Sequence, residues 1–387
     1  MTEFVLSADH VVTPGGVLDR GRVVVRDGRI LAVNAEPDGA GANGGAAEAA
    51  DGERLSGWLV PGYVDTHGHG GGGADFATTD PDEARRAVAF HRGHGTTTHL
   101  ASLVTASIDT LLRQLRTLAP LVAAGELAGV HLEGPFLSPD HRGAHDQALL
   151  CHPRHDLVDR LLDAGDGTIR MVTLAPELPG GIAAIERLVE AGVVAAFGHS
   201  DADETVLRDA IEAGASVATH LFNAMRPIHH REPGPVPRLL TDQRVTVELI
   251  CDGFHLHPDV IAMAIATAGP ERVALVTDAM LAAGAADGRY RLGSLAVEVT
   301  DGQARLVEPD GTLGSIAGST LTMGDAVALV VGLGISIPDA ALMSATTPAR
   351  RHGLLDVGAV EAGRRADFCL VDDQGRLLRV MQAGVWV

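Results

Sequence analysis

The chain is expected to fold as an α/β protein: a (β/α)₈ TIM-type barrel with a small β-sandwich domain built from both chain termini. Three observations predict this. Eight short apolar runs alternate with helical stretches through the middle of the chain. Side chains able to bind metal recur at the ends of those runs. Both ends of the chain read as β-structure punctuated by turn signals.

Size and composition support a soluble globular protein. At 387 residues, with 46% hydrophobic and 21% charged side chains, the chain can bury a large domain and a small one. No apolar run approaches the roughly 18 residues of a membrane span, and MTEFVLSADH lacks the basic start and apolar core of a secretory signal. Cys151, Cys251 and Cys369 form no C-x-x-C pair or disulfide framework, which fits a reducing cytoplasm. A net charge of −20 argues against nucleic acid and anionic membranes as partners. There is no lysine: all 30 basic residues are arginine. That excludes Walker-type phosphate loops, Schiff-base chemistry and a carboxylated-lysine metal bridge. Histidine, by contrast, is abundant at 18.

Taken in order, residues 3–34 alternate short β-runs with turns, including Asp27-Gly28, a hairpin signal. Residues 36–53 are low-complexity and read as a mobile loop. The runs at 366–371 and 377–387, with a turn at 373–375, complete a small β-domain of 1–57 and 353–387. The barrel is expected over 58–352, with strands at 59–65, 96–102, 129–133, 169–174, 193–198, 216–221, 245–251 and 273–277. Helices are expected at 81–94, 108–124, 157–164, 182–191, 204–213 and 258–268. A doubly wound open sheet is the competing architecture. Loops 135–157 and 282–318 are long enough to act as lids.

Barrel active sites lie at the C-terminal ends of strands, and the metal-competent residues fall there. The segment PGYVDTHGHGGGG at 61–73 sets His67 and His69 at the end of the first run, with side chains two apart and so on one side. Glu133 ends the third run, His199 the fifth, His220 the sixth and Asp278 the eighth. An isolated H-x-H is as often a pair of surface histidines, and a lone histidine is more often a packed core residue. Six such residues all at strand ends are not explained that way. Nitrogen and oxygen ligands without thiolates suit Zn²⁺ or a similar divalent ion.

PGYVDTHGHGGGG, HLEGPF, GHS, THLFNAM, CDGFHLHP, VTDAM and AGSTLTM together resemble the amidohydrolase superfamily, and within it the N-acetylglucosamine-6-phosphate deacetylases. The likeness runs from the N-terminal β-segment through GAVEAGRRADFCLVD. It implies metal-dependent hydrolysis of the acetamide of N-acetyl-D-glucosamine 6-phosphate to D-glucosamine 6-phosphate and acetate, a step in amino-sugar catabolism and cell-wall recycling. Glu133, His199 and His220 would hold one divalent ion, and His67 and His69 a second, with Glu133 bridging. One or two zinc ions per subunit are therefore expected. Asp278 matches the catalytic aspartate, which takes the water proton and delivers it to the departing amine, and it can also serve as a ligand. His255 matches the residue that polarises the carbonyl.

The resemblance also implies the substrate contacts. Arg231, in RPIHHR, would meet the phosphate as a guanidinium fork, assisted by His230. Ala144, His145, Asn223 and Ala224 match further contacts, as do Asp252, Gly253 and Phe254 around His255. Ile316, Ala317 and Gly318 match a segment lying against the sugar. In relatives the arginine loop reaches the partner subunit's site, so a homodimer with a shared active site is expected. Two other readings stay open: an amidohydrolase acting on cyclic amides or nucleobases, and a non-catalytic barrel scaffold.

Overall fold

The computed structural model describes residues 2–35 and 52–387. The expected low-complexity loop at 36–53 therefore lies outside the described residues, apart from its last two positions.

Eight parallel strands form the barrel wall, in chain order: Tyr63–Gly68, Thr96–Val104, Gly129–Glu133, Ile169–Leu174, Val194–Phe197, Val217–Ala218, Thr246–Ile250 and Val273–Val276. The ring is sealed just past the strand ends, where the Asp278 N–H donates to the His67 carbonyl at 2.7 Å and the His69 N–H to Ala279 at 2.7 Å. The expected helices appear at Pro81–Gly93, Ile108–Ala123, His155–Gly165, Gly181–Glu190, Glu204–Glu212 and Pro258–Ala268. Asp80, Ser107 and Asp203 cap three of them with side-chain oxygens. Apolar helix faces such as Leu111, Leu115 and Leu118 are fully buried against the strands.

The other seven strands of the two chain ends form one sheet. Its hydrogen-bonded order is Val385–Trp386, Leu377–Gln382, Phe368–Val371, Glu53–Pro61, Glu3–Thr13, Gly16–Arg26 and Arg29–Ala35. Residues 59–61, which the sequence reads as the head of the first barrel strand, pair here instead, Leu59 with Leu370 and Pro61 with Phe368. The strand is broken at Gly62, whose N–H turns to the Asp367 carbonyl at 2.9 Å. A Cβ at Gly62 would lie 2.3 Å from Thr97 Oγ1, so only glycine lets the chain cross from sheet to barrel here.

Residues 282–318, read from sequence as a lid-length loop, are largely a four-stranded antiparallel meander of Gly288–Leu292, Leu295–Thr300, Gln303–Val307 and Leu313–Ile316. It has its own apolar layer of Val297, Val299, Ala304 and Leu306, packed on Val104, Ala144 and Met280 beside the barrel mouth. The segment after the third strand carries two single 3₁₀ turns, Pro139–His141 and Gln147–Leu149.

Candidate active site

Glu133 is the hub of the strand ends. Its Oε1 lies 3.1 Å from His199 Nε2 and 3.0 Å from His220 Nε2, and those two nitrogens are 3.0 Å apart. Its Oε2 lies 3.1 Å from His69 Nε2 and 3.3 Å from His145 Nε2. Asp278 Oδ1 faces His69 Nε2 at 3.2 Å and His67 Nε2 at 3.4 Å. All of these residues are buried. His199, His220 and Asp278 adopt left-handed backbone conformations, with φ of 49°, 28° and 48°. Non-glycine residues rarely do so, and here the turn swings side chains inward at the end of a straight strand.

The arrangement fits a metal. His199 Nδ1 donates to the His141 carbonyl at 2.9 Å, and His67 Nδ1 donates to Glu248 at 3.1 Å. Each ring is thereby left with a bare Nε2 aimed at the carboxylate hub. His67 Nε2 has no hydrogen-bond partner among the described residues. Lone pairs and carboxylate oxygens this close repel one another unless a cation lies between them. His67, His69, Glu133 and Asp278 form one candidate ligand group, and Glu133, His145 and His199 another.

Titration behaviour carries the same message. Burial alone would push the His69 imidazole down, but the Glu133 and Asp278 carboxylates raise it to about 9. Burial is likewise overruled at His67, which rises well above its ordinary value. Burial would raise Asp278, but the His67 charge brings it to about 2. Glu133, against its burial, is held well below the usual carboxylate range by His145 and His67. Protons fill the place that suits a dication.

A cavity of about 430 Å³ opens onto this cluster. Of the residues singled out in the sequence, His69, Glu133, Ala144, His145, His199, His220, Asn223, Ala224, His255, Asp278, Ile316 and Gly318 line it. His67 lies behind them, fully buried. Asp252 does not line the cavity but accepts His255 Nδ1–H at 2.7 Å, fixing that ring. Ala317 turns into the meander's apolar layer. Gly253 and Phe254 are exposed on a turn outside the lining. His230 and Arg231 are exposed too, and no arginine lines the cavity.

Several supporting residues escaped the sequence reading. Glu248 holds His67 Nδ1 and also accepts from the His220 N–H at 3.3 Å. Thr105 Oγ1 holds His145 Nδ1 at 2.8 Å. His141 lines the cavity and is held by Asp201 at 2.9 Å. Below the cluster, His131 bridges Ser102 and Thr173 across the barrel interior. The available signal was a charged or polar residue inside an apolar strand, such as Glu248 within TVELI.

Residues 58–387 match the family model described as the amidohydrolase family. Among relatives, an N-acetylgalactosamine-6-phosphate deacetylase of Escherichia coli O157:H7 is 35% identical over 99% of this chain and 97% of its own length. An N-acetylglucosamine-6-phosphate deacetylase of Bacillus subtilis is 34% identical over 99% of this chain and 97% of its own. Among solved structures, a mutant N-acetyl-D-glucosamine-6-phosphate deacetylase from Mycobacterium smegmatis in complex with N-acetyl-D-glucosamine-6-phosphate is 46% identical. It superposes with a TM-score of 0.93, covering 100% of this chain and 99% of that one.

Proposed function

The chain belongs to the amidohydrolase family, and from that premise we propose how its cavity performs amide hydrolysis. It is a metal-dependent deacetylase of N-acetylated amino-sugar 6-phosphates, converting N-acetylglucosamine 6-phosphate to glucosamine 6-phosphate and acetate. The observation that carries the mechanism is the Glu133 carboxylate joining two imidazole sets, with Asp278 against one of them.

In this reading Glu133, His199 and His220 would hold one ion, and His67 and His69 would hold a second, with Glu133 and Asp278 beside them. Zinc suits the nitrogen-rich set. Such an ion supplies an acidified water and a polarised carbonyl. Asp278 takes the water proton during attack on the acetyl carbon and returns it to the nitrogen as the sugar amine departs. Asp252 orients His255, whose Nε2, when the ring is protonated, donates to the carbonyl oxygen as negative charge develops there. Asn223 and the Ala224 backbone offer hydrogen bonds to sugar oxygens, and Ile316 and Gly318 give the ring an apolar wall.

A guanidinium suits the phosphate, and the only side chains in the cavity lining able to carry positive charge are imidazoles. Arg231 is exposed, so we read the functional unit as a homodimer in which Arg231, with His230, enters the partner's site. The reading places this enzyme in the cytoplasm, where its three free thiols stay reduced.

Acetate release from N-acetylglucosamine 6-phosphate, with and without chelator, tests the assignment: chelation is expected to abolish it and zinc to restore it. The unphosphorylated sugar should turn over poorly, and equal rates would remove the role given to Arg231. Co-expressed Arg231→Ala and Asp278→Asn chains should regain activity that neither has alone if sites are shared. A second reading, the C4 epimer as substrate, is favoured by the likeness to the Escherichia coli relative. The ratio of kcat/KM for the two epimers decides it.

A further inference from the structure

Three other buried side chains converge away from the cavity lining: Asp65 on the first barrel strand, His91 in the last turn of Pro81–Gly93, and His99 on the second strand. One ligand atom from each lies within 4.8 Å of the other two. His99 Nε2 is 3.6 Å from Asp65 Oδ2. Their exposures are 0%, 0% and 3%.

Hydrogen bonds fix the form of both rings. His91 Nε2 faces the Gly70 carbonyl at 2.8 Å, and a carbonyl only accepts, so that nitrogen carries the proton. His99 Nδ1 faces the Leu100 carbonyl at 2.6 Å and carries its proton likewise. Burial lowers both imidazoles to about 4, which leaves the rings neutral. His91 Nδ1 and His99 Nε2 are therefore bare lone pairs, and neither has a hydrogen-bond partner among the described residues. A glycine makes space at the proposed ligand atom: a Cβ on Gly68 would lie 3.1 Å from His99 Nε2.

A buried polar atom without a partner is costly, and two such nitrogens beside one buried carboxylate, whose Oδ2 also accepts from Thr277 Oγ1 at 2.6 Å, call for an occupant. A water molecule would serve the two nitrogens alone. A cation serves all three ligand atoms, and the carboxylate adds the charge that favours it. We propose that Asp65, His91 and His99 form a structural site for a zinc-like divalent cation, separate from the ions of the catalytic cavity. Two imidazoles and one carboxylate suit zinc and disfavour magnesium or calcium. Zinc bonds of about 2.0–2.1 Å space tetrahedral ligands about 3.3–3.5 Å apart. The Asp65–His99 pair is already near that spacing at 3.6 Å, and His91, whose ligand atom lies within 4.8 Å of both, would have to move in to complete the set. The ion would fasten the Pro81–Gly93 helix to the first two strands.

The test uses the zinc-loaded full-length protein. Metal content per chain by mass spectrometry is expected to fall by one equivalent from wild type to His99→Phe, or to His91→Gln. Deacetylation should persist in both variants, because neither residue reaches the cavity. Anomalous diffraction at the zinc edge from wild-type crystals should show a peak among the three side chains, and this needs no variant to fold. Equal metal content in folded variant and wild type, or a wild-type map with water or nothing in that position, overturns the proposal.

Discussion

Glu248 sits inside the seventh barrel strand, buried, with one carboxylate oxygen shared between His67 Nδ1 and the backbone N–H of His220. It does not line the cavity, yet it orients a proposed ligand in each of the two imidazole sets. Glu248→Gln should lower zinc affinity roughly 10- to 100-fold, read by competition with a chromophoric chelator, with the fold retained. Asp278→Asn should instead leave metal content close to wild type and cut kcat by roughly 10²–10⁴-fold. The two variants thus separate positioning from proton transfer. The raised His69 value gives a third expectation. Below about pH 9 an incoming ion must displace the His69 proton, so apparent affinity at that position should climb as pH rises toward 9, by about tenfold per unit for each proton displaced. A pH-independent affinity would contradict the exchange. The proposed ligands were legible in the sequence because they stand at the ends of apolar runs. Glu248 was passed over because a single acid inside such a run has no spacing partner.

The loop that follows the third barrel strand is set by Gly134, at φ +82°, where a Cβ would lie 2.3 Å from Thr105 Oγ1. That hydroxyl positions His145 and also donates to the Glu133 carbonyl. Gly134→Ala should cost about 1–3 kcal/mol of stability, seen in thermal melts, and raise KM through displacement of His145. At this scale the sequence was most readable where helix and strand periods differ, so the principal helices appear within a few residues of expectation. The meander was missed although Asp301-Gly302 is a hairpin dipeptide, both residues having positive φ between the paired Thr300 and Gln303. Its strands are short and carry the exposed Arg289 and Arg291, and only the docked face is apolar. In a chain otherwise alternating strand with helix, such a stretch reads as a loop. The helix Val236–Thr241 escaped for a simpler reason: six residues hold less than two turns of periodicity.

For the molecule as a whole, buried neutral histidines set the acid limit. Burial brings His352 down to about 3 and lowers His131 well below its ordinary value. An unfolded chain protonates both near 6.5, so between that value and the folded one the unfolded state binds more protons. Stability is fully present above about pH 6.5 and falls as pH drops, by about 1.4 kcal/mol per unit for each such group. The melting temperature should decline steeply from pH 6.5 to 5, and less so in His352→Gln if that variant folds. A melting temperature flat across this range would remove the burial argument. The global architecture was legible because alternation and strand-end ligands both report on it. The switch at Gly62 was not, since an unbroken apolar run hides the point where one sheet hands over to another.

The sheet joining the two chain ends has a bearing on synthesis. Leu59 lies beside Leu370, and the barrel seam joins His67 to Asp278, so two strands from the first fifth of the chain meet partners made hundreds of residues later. Until those arrive, the edges of Glu53–Pro61 and Tyr63–Gly68 stand open. A nascent chain must be kept from pairing with its neighbours on the polysome until then, and slow translation late in the message would prolong that exposure.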